Sequence, residues 1–252
     1  MNRKYWNRMA ACYEAEIFSV LEHDQAKLIA DKIDRYGNSA QTASDIGCGI
    51  GSFLPLLSRR FRTVLAVDLS SRNIARARAA HARLSNVSYR TADLAAPGTR
   101  LPKADFALCV NAAISPSLAQ RNRLLDVTCR HLRPGAHLVL VVPALESTLL
   151  ADFRLIEWNL RDGQKAARAA GPGFRAHRPV GNPRAHEGVV EIDGVATKHF
   201  LKEELEVLLG NQGLRTLEID KIEYPWSTEF ASPPRWMQAP FPWDWLFVAQ
   251  KR

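Results

Sequence analysis

Three glycines fall at positions 47, 49 and 51, in the stretch DIGCGIGSF, directly behind an apolar segment. Glycine inside a helix or strand costs about 0.5–1 kcal/mol against alanine, so a cluster of this kind belongs where regular structure stops. The residues before it, TASDIGC (42–48), read as a buried strand, and those after it, GSFLPLLSRR (51–60), read as a helix. A glycine turn at this junction admits backbone angles closed to other residues and lets the chain approach a ligand with no Cβ between them. It also leaves the first N–H groups of the helix facing that ligand. Such a turn belongs in an open α/β sheet that binds at the carboxyl ends of its strands.

The flanking pattern agrees. Short apolar runs at RTVLAVDLS (62–70), NVSYRTADL (86–94), ADFALCVNA (104–112) and GAHLVLVVP (135–143) read as strands, and SSRNIARARAAHARL and SLAQRNRLLDVTCRHLRPG between them read as helices. This alternation argues for a parallel sheet with helices on both faces. Residues 1–36 read as helix, with Ile17, Val20, Leu21, Leu28, Ile29 and Ile33 near helical spacing and Gly37 at the stop. After Pro143 the pattern breaks. STLLADFRLIEWNLRDGQKAARAA reads as a long helix, GPGFRAHRPVGNPRAHEG as a loop, and VVEIDGVATKHF as a hairpin turning at Asp193-Gly194. A helix (LKEELEVLLGNQG), a strand (LRTLEIDKIEYPW), a proline- and tryptophan-rich loop and a strand (WDWLFVAQK) follow. The expected organisation is one domain, 1–252, with 1–36 as an N-terminal helical lid and 144–200 as a substrate-side insertion.

Composition narrows the partners. The hydrophobic fraction of 46% in 252 residues supports a sizeable core. No window of about 18 apolar residues occurs, so no transmembrane helix is expected, and the opening residues lack the apolar run of a secretory signal. Cys12, Cys48, Cys109 and Cys129 are scattered without CxxC spacing, as expected of reduced thiols in a cytoplasmic protein. The arginines behind the net charge of +8 are dispersed, with no long Lys/Arg block and none interleaved with aromatics as in a single-strand binder. That argues against nucleic acid and for solvated helix faces. No H-E-x-x-H and no acid cluster is present, so no metal is expected. A monomer or homodimer acting on a small molecule is the expected form.

Three acids sort the glycine loop. Asp45 stands where dinucleotide loops usually carry an apolar residue. Asp68 ends the second strand, 17 residues after Gly51, where a carboxylate can accept both hydroxyls of a ribose. Asp93 ends the third strand, where an acceptor can take an exocyclic adenine N–H. With these residues, SDIGCGIGSFLPLLS, VLAVDLSSRNIARAR, VSYRTADL, ADFALCVNAAIS and HLRPGAHLVLVVP together resemble the class I S-adenosylmethionine-dependent methyltransferases over residues 40–145. The resemblance returns at KHFLKEELEVLLGNQGLRTLEID. It implies an α/β, Rossmann-like, seven-stranded and mostly parallel sheet whose last strand is antiparallel, and WDWLFVAQK fits that strand. It implies S-adenosyl-L-methionine as cofactor. It places Asp45, Gly47, Cys48, Gly49 and Gly51 around the methionine part, Asp68 on the ribose and Leu69 beside the adenine. Asp93 and Leu94 then meet the adenine amino edge, and Asn111 joins the cofactor set after the fourth strand. YWNRMAACYE is similar to the N-terminal helix of small-molecule members, with Tyr13 expected to close over the cofactor.

The acceptor side is less defined. Many base- and amide-methylating members carry D/N-P-P-Y/F after the fourth strand. This chain has CVNAAIS, with Asn111 but neither the prolines nor the aromatic, which argues against exocyclic amines of nucleic acid or glutamine. Connections leaving strands four, five and six emerge on the cofactor side. Trp158, Phe174, Trp226, Phe230, Trp236, Phe241 and Trp243 are therefore expected to wall an apolar small-molecule pocket. Trp158, His199, Tyr224, Trp226 and Trp243 are the candidate substrate-pocket residues. His177, His186, His199, Glu157 and Tyr224 are eligible as general base by position, none is distinguished, and no catalytic residue is assigned. Small-molecule methyl transfer is the expected function. Three alternatives stay open: a same-fold cyclising or lyase enzyme releasing methylthioadenosine, an RNA or protein methyltransferase, and a non-catalytic binding module.

Overall fold

The computed structural model describes residues 2–170, 187–192 and 194–252. Phe174, His177, His186 and Asp193, each singled out above, lie outside the described residues. Four helices open the chain: α1 (Arg3–Met9), α2 (Tyr13–Glu16), α3 (Val20–His23) and α4 (Leu28–Tyr36). The continuous helix expected over 1–36 is broken because polar side chains cap new starts. Asn2 Oδ1 accepts the Tyr5 N–H, Ser19 Oγ the Glu22 N–H, and the Asp24 carboxylate the Leu28 and Ile29 N–H groups.

Then follow β1 (Thr42–Ile46), α5 (Leu54–Arg60), β2 (Thr63–Asp68), α6 (Ser71–Ala80), β3 (Val87–Thr91), β4 (Ala104–Val110), α7 (Leu118–His131) and β5 (Leu132–Pro143). The long helix expected after Pro143 is two helices, α8 (Leu145–Arg161) and α9 (Ala166–Ala169). Gly163, at φ +84, lies in the break between them. The chain continues with β6 (Val189–Ile192), β7 (Val195–Lys198), α10 (Lys202–Asn211), β8 (Leu214–Glu223) and β9 (Trp243–Lys251). The seven-stranded sheet has the order β3-β2-β1-β4-β5-β9-β8, and β6 and β7 form a separate antiparallel hairpin. Pairing from β3 through β5 is parallel, and β9 runs antiparallel to both β5 and β8. This is the sheet the sequence implies.

Both faces of the sheet are covered at its centre, so β4 and the second half of β5 read as apolar runs, while the edge strands β3 and β8 carry polar residues. In β4, Phe106 and Leu108 point into one core, while Ala107 and Cys109 point into the other. Val139 and Val141 of β5 and Leu246 and Val248 of β9 join the first core; Leu138, Leu140, Phe247 and Ala249 join the second. Helices α4, α5 and α6 close the first core with Ile29, Ile33, Leu54, Leu57, Ile74 and Ala77. Helices α7 and α10 close the second with Leu125, Cys129, Leu205 and Leu209. By contrast, α1 and α2 bury no side chain. They hang on α6 by polar contacts: Ser70 Oγ to Asn7 Oδ1 at 2.7 Å, Arg72 to the Asn7 carbonyl, and Arg76 to the Ala10 carbonyl and the Glu14 carboxylate. No helix of the described residues is long and apolar enough to cross a membrane.

Phe106 has no exposed surface, and its ring lies 4.9 Å from that of Phe61, centroid to centroid. Phe106→Ala is expected to lower unfolding free energy by about 3–5 kcal/mol, read as a shifted denaturation midpoint. A change below about 1 kcal/mol would contradict the packing described for this core.

Candidate functional site

Strand order runs in opposite directions away from β1 and β4, so the connections leaving their carboxyl ends turn opposite ways and leave a crevice between them. The chain leaves β1 into the glycine loop, where the Gly47 and Cys48 N–H groups both donate to the Val67 carbonyl at 2.8 and 3.0 Å. Gly47 has φ +72, and a Cβ there would lie 2.4 Å from the Ala112 Cβ. Gly49 has φ +53, and a Cβ there would lie 2.3 Å from the Tyr13 hydroxyl oxygen. The loop is thus held between the β4 exit on one side and the N-terminal segment above it. At Gly51 the neighbours are Leu54, Ala77 and His81, so that position serves the contact of α5 with α6.

Above the loop lies a cavity of about 660 Å³. Tyr13, Asp45, Gly47 and Cys48 line it, as do Asp68 and Leu69, Asp93 and Leu94, and Asn111. Of the expected cofactor residues, Gly49 lies beneath Tyr13 and Gly51 faces the helix contact; neither is part of the lining.

The acids here are unequal. Asp68 Oδ2 accepts the Gly49 N–H at 3.0 Å, and Oδ1 accepts the Ser70 N–H at 2.7 Å and Asn73 Nδ2 at 3.3 Å. Burial raises its pKa, and those hydrogen bonds oppose the rise. Asp45 is 2% exposed, and its Oδ2 has no hydrogen-bond partner. Burial, then the negative charge of Asp68, pushes its pKa up to about 7. The Cys48 thiol is pushed well up by burial and by both acids, so it is no thiolate at neutral pH. Burial and then Asp68 likewise raise the Tyr13 phenol, which stays protonated. Asp93 Oδ1 accepts the Ala95 N–H at 2.9 Å.

Asn111 leaves β4 in the left-handed region, at φ +48. Its Nδ2 lies 3.4 Å from Asp244 Oδ2, while its Oδ1 is buried without a partner. The Tyr224 hydroxyl donates to the same Asp244 oxygen at 2.9 Å. Asp244 is 8% exposed, and burial pushes its pKa up to about 6 against those two hydrogen bonds.

Among the described residues, the expected aromatic wall stands apart from this cavity. None of Trp158, His199, Tyr224, Trp226 or Trp243 lines the cavity. Trp226 stacks on Phe230 at 5.6 Å, Trp158 meets Phe230 edge-on at 5.9 Å, and the Arg154 guanidinium lies over Trp226 and Trp236. The loop after β8 therefore packs on α8, whose cations and ring hold it. Trp243 stands edge-on to Trp245, with Lys221 Nζ 3.7 Å from its ring centre. The His199 N–H donates to the Gly188 carbonyl at 2.8 Å. The outer cavity wall comes instead from Trp6, Met9, Ile17 and Phe18 of the N-terminal segment and from Ile114 and Leu124. The hairpin adds Ile192, Val195 and Thr197. The signal for these lay in the apolar residues that remain between the caps of α1–α3 and in the alternation around the hairpin. Among the described residues, no three His, Cys, Asp or Glu side chains are grouped to hold a metal ion.

Gly98 also has positive φ, +78, but nothing lies within 4 Å of its would-be Cβ. Gly98→Ala is expected to cost about 1 kcal/mol of backbone strain. Gly47→Ala carries the same strain plus the collision with Ala112, expected to add about 1–3 kcal/mol. Equal losses of melting stability for the two variants would contradict the close approach of β1 and β4.

Residues 43–135 match a protein family described as a methyltransferase domain. No curated protein matches the chain. Among solved structures, the chain is similar to a SAM-dependent methyltransferase from Methanosarcina mazei, at 21% identity and TM-score 0.60 over 87% of this chain and 96% of that one. It is similar to the N-methyltransferase NodS from Bradyrhizobium japonicum WM9, solved with S-adenosyl-L-homocysteine, at 13% identity and TM-score 0.62 over 99% and 97%. It is also similar to the [4+2]-cyclase SpnF, at 14% identity and TM-score 0.56 over 90% and 81%.

Proposed function

From a chain whose residues 43–135 match a methyltransferase domain and whose sheet is the class I S-adenosylmethionine-dependent methyltransferase fold, we propose an enzyme that moves a methyl group from S-adenosyl-L-methionine to a small molecule. The observation that carries this reading is Asp45, a buried carboxylate with an unpartnered oxygen on the cavity beside the glycine loop. A buried polar group is paired in nearly all native structures, and the ammonium of a methionine moiety is a suitable partner. The residues present fit the cofactor at its other end as well. A carboxylate offers about four acceptor sites, and one N–H occupies Asp68 Oδ2, which leaves capacity there for a ribose hydroxyl.

When bound, the cofactor would supply an electrophilic methyl on a sulfonium. The chain's own part is to hold and enclose it. Asp68 would bind the ribose, Leu69 and Leu94 would flank the adenine, and Asp93 would accept from its amino edge. Asp45 and Asn111 would receive the ammonium end, with Tyr13 above the glycine loop. The apolar side chains of the lid and hairpin would exclude water and leave the acceptor few orientations, which is where such displacements gain rate. A cavity of about 660 Å³ walled by Trp6, Met9, Phe18, Ile192 and Val195 suits a small acceptor better than a polymer.

The test is incubation with labelled S-adenosylmethionine and a small-molecule extract. Release of S-adenosylhomocysteine with a labelled product supports the reading; methylthioadenosine in its place marks displacement at the aminobutyrate carbon and overturns it. Asp68→Ala is expected to weaken S-adenosylhomocysteine binding by about 2–4 kcal/mol in calorimetry; an unchanged dissociation constant in a folded variant removes Asp68 from the ribose.

Asp45 also fixes a pH dependence. In the free protein its pKa is about 7, so below that pH an ammonium-bearing ligand must displace a proton. Affinity for S-adenosylhomocysteine is expected to fall by up to about tenfold per unit as pH drops below 7, and Asp45→Asn is expected to flatten that slope. Stability runs the other way. Because the folded pKa lies above the unfolded one, Asp45 destabilises the free protein as pH rises from the ordinary carboxylate range through 7. Titration calorimetry and denaturation across this range read both slopes.

A further inference from the structure

Three side chains from three strands form a row across the carboxyl edge of the sheet. Asn111 leaves β4, Asp244 lies in β9 opposite Pro143 of β5, and Tyr224 follows β8. Only Asn111 lines the cavity. Its amide has two ends of opposite polarity, and Asp244 distinguishes them. An ionised carboxylate only accepts hydrogen bonds, so Asn111 must turn Nδ2 toward Asp244, as it does at 3.4 Å. That leaves Oδ1 on the far side of the amide, buried and without a partner. The Tyr224 hydroxyl donates to Asp244 at 2.9 Å and fixes the carboxylate in turn. Residue 111 also holds a left-handed backbone, φ +48, which few residues adopt without strain.

We propose that Asp244, anchored by Tyr224, is a positioning residue that locks the Asn111 amide with its oxygen toward the cavity, making a subsite for an N–H or O–H donor beside the glycine loop. The proposal rests on the cofactor reading above and goes beyond it. It specifies the polarity of the atom that binds there and names a residue that acts on the ligand only through Asn111. The donor has two possible sources, the ammonium of the cofactor or the amine or hydroxyl of the methyl acceptor, and three probes separate them. S-adenosylhomocysteine carries the aminobutyrate ammonium. Methylthioadenosine lacks it. Sinefungin adds a protonated amine where the transferred methyl would be.

The variants are Asn111→Gly, which keeps the left-handed backbone and removes the amide, Asp244→Asn, Tyr224→Phe, and the double variant Asn111→Gly/Asp244→Asn. An asparagine at 244 is close in shape to aspartate but can donate to Asn111 Oδ1, which removes the constraint on the amide. Affinities are read by calorimetry, and melting temperatures are recorded for every variant. If the ammonium is the donor, Asn111→Gly and Asp244→Asn each weaken S-adenosylhomocysteine about tenfold or more, with methylthioadenosine changed less than about twofold. If the donor sits at the transferred methyl, sinefungin alone loses about tenfold. In either case the double variant is no weaker than Asn111→Gly, because Asp244 acts through the amide. Tyr224→Phe gives a smaller loss in the same ligand order, and it keeps the test open should Asp244→Asn fail to fold. Equal losses for all three ligands, additive losses in the double variant, or unchanged affinities would overturn the proposal. Wild-type protein that binds none of the three ligands would overturn the cofactor reading, and the subsite with it.

Discussion

The close approach of the β1 and β4 exits sets the geometry of everything above the sheet. At Gly47 no side chain fits, because the Ala112 methyl stands where a Cβ would go. The connections leaving the two strands turn opposite ways past this contact, so the crevice begins at a fixed point. Asp45 and Asn111 are brought to it from opposite sides, one just before the glycine loop and the other one residue past β4. The same contact explains why the loop carries so much glycine. It is pressed by β4 on one side and by the Tyr13 hydroxyl above, while it follows the end of β2 through the Val67 carbonyl.

A second constraint is dielectric. Asp45, Asp68 and Asp244 are acids in poorly solvated surroundings, and burial raises the pKa of each. They differ in compensation. Asp68 accepts from one N–H of the glycine loop, one of its own loop and the Asn73 amide, and Asp244 accepts from a phenol and an amide. Asp45 keeps an oxygen with no partner. That open oxygen lies on the cavity beside the glycine loop, and the proposed function gives it an ammonium as partner.

The sheet was legible in the sequence because its signals are local. The central strands are apolar runs, the helical crossovers between them are amphipathic, and the glycine loop marks the β1 exit within a few residues. The placement of Asp68 and Asp93 on the cavity was legible for the same reason, as acids at the end of β2 and just past β3. The aromatic loop after β8 was not. Whether Trp226 faces a crevice or a helix depends on Arg154 and Trp158, some seventy residues earlier, and nothing near Trp226 encodes that choice. The breaks in the N-terminal segment were written in Ser19 and Asp24, but the near-helical spacing of apolar residues on either side masked them. Asp244 lies in an apolar run whose period gave no hint of a polar partner across the sheet edge.

The weak attachment of α1 and α2 has a thermodynamic consequence. These helices bury no side chain of their own, and their ties to α6 are polar and part-buried or exposed. Yet Trp6, Met9 and Ile17 turn apolar surface toward the cavity. On the function proposed above, the segment would be half of a small hydrophobic core whose other half is the bound ligand. Ligand affinity and the order of these helices are then one free energy seen from two sides. A molecule too small to fill the space would leave the segment loosely held, so discrimination by size comes from incomplete packing as well as from exclusion.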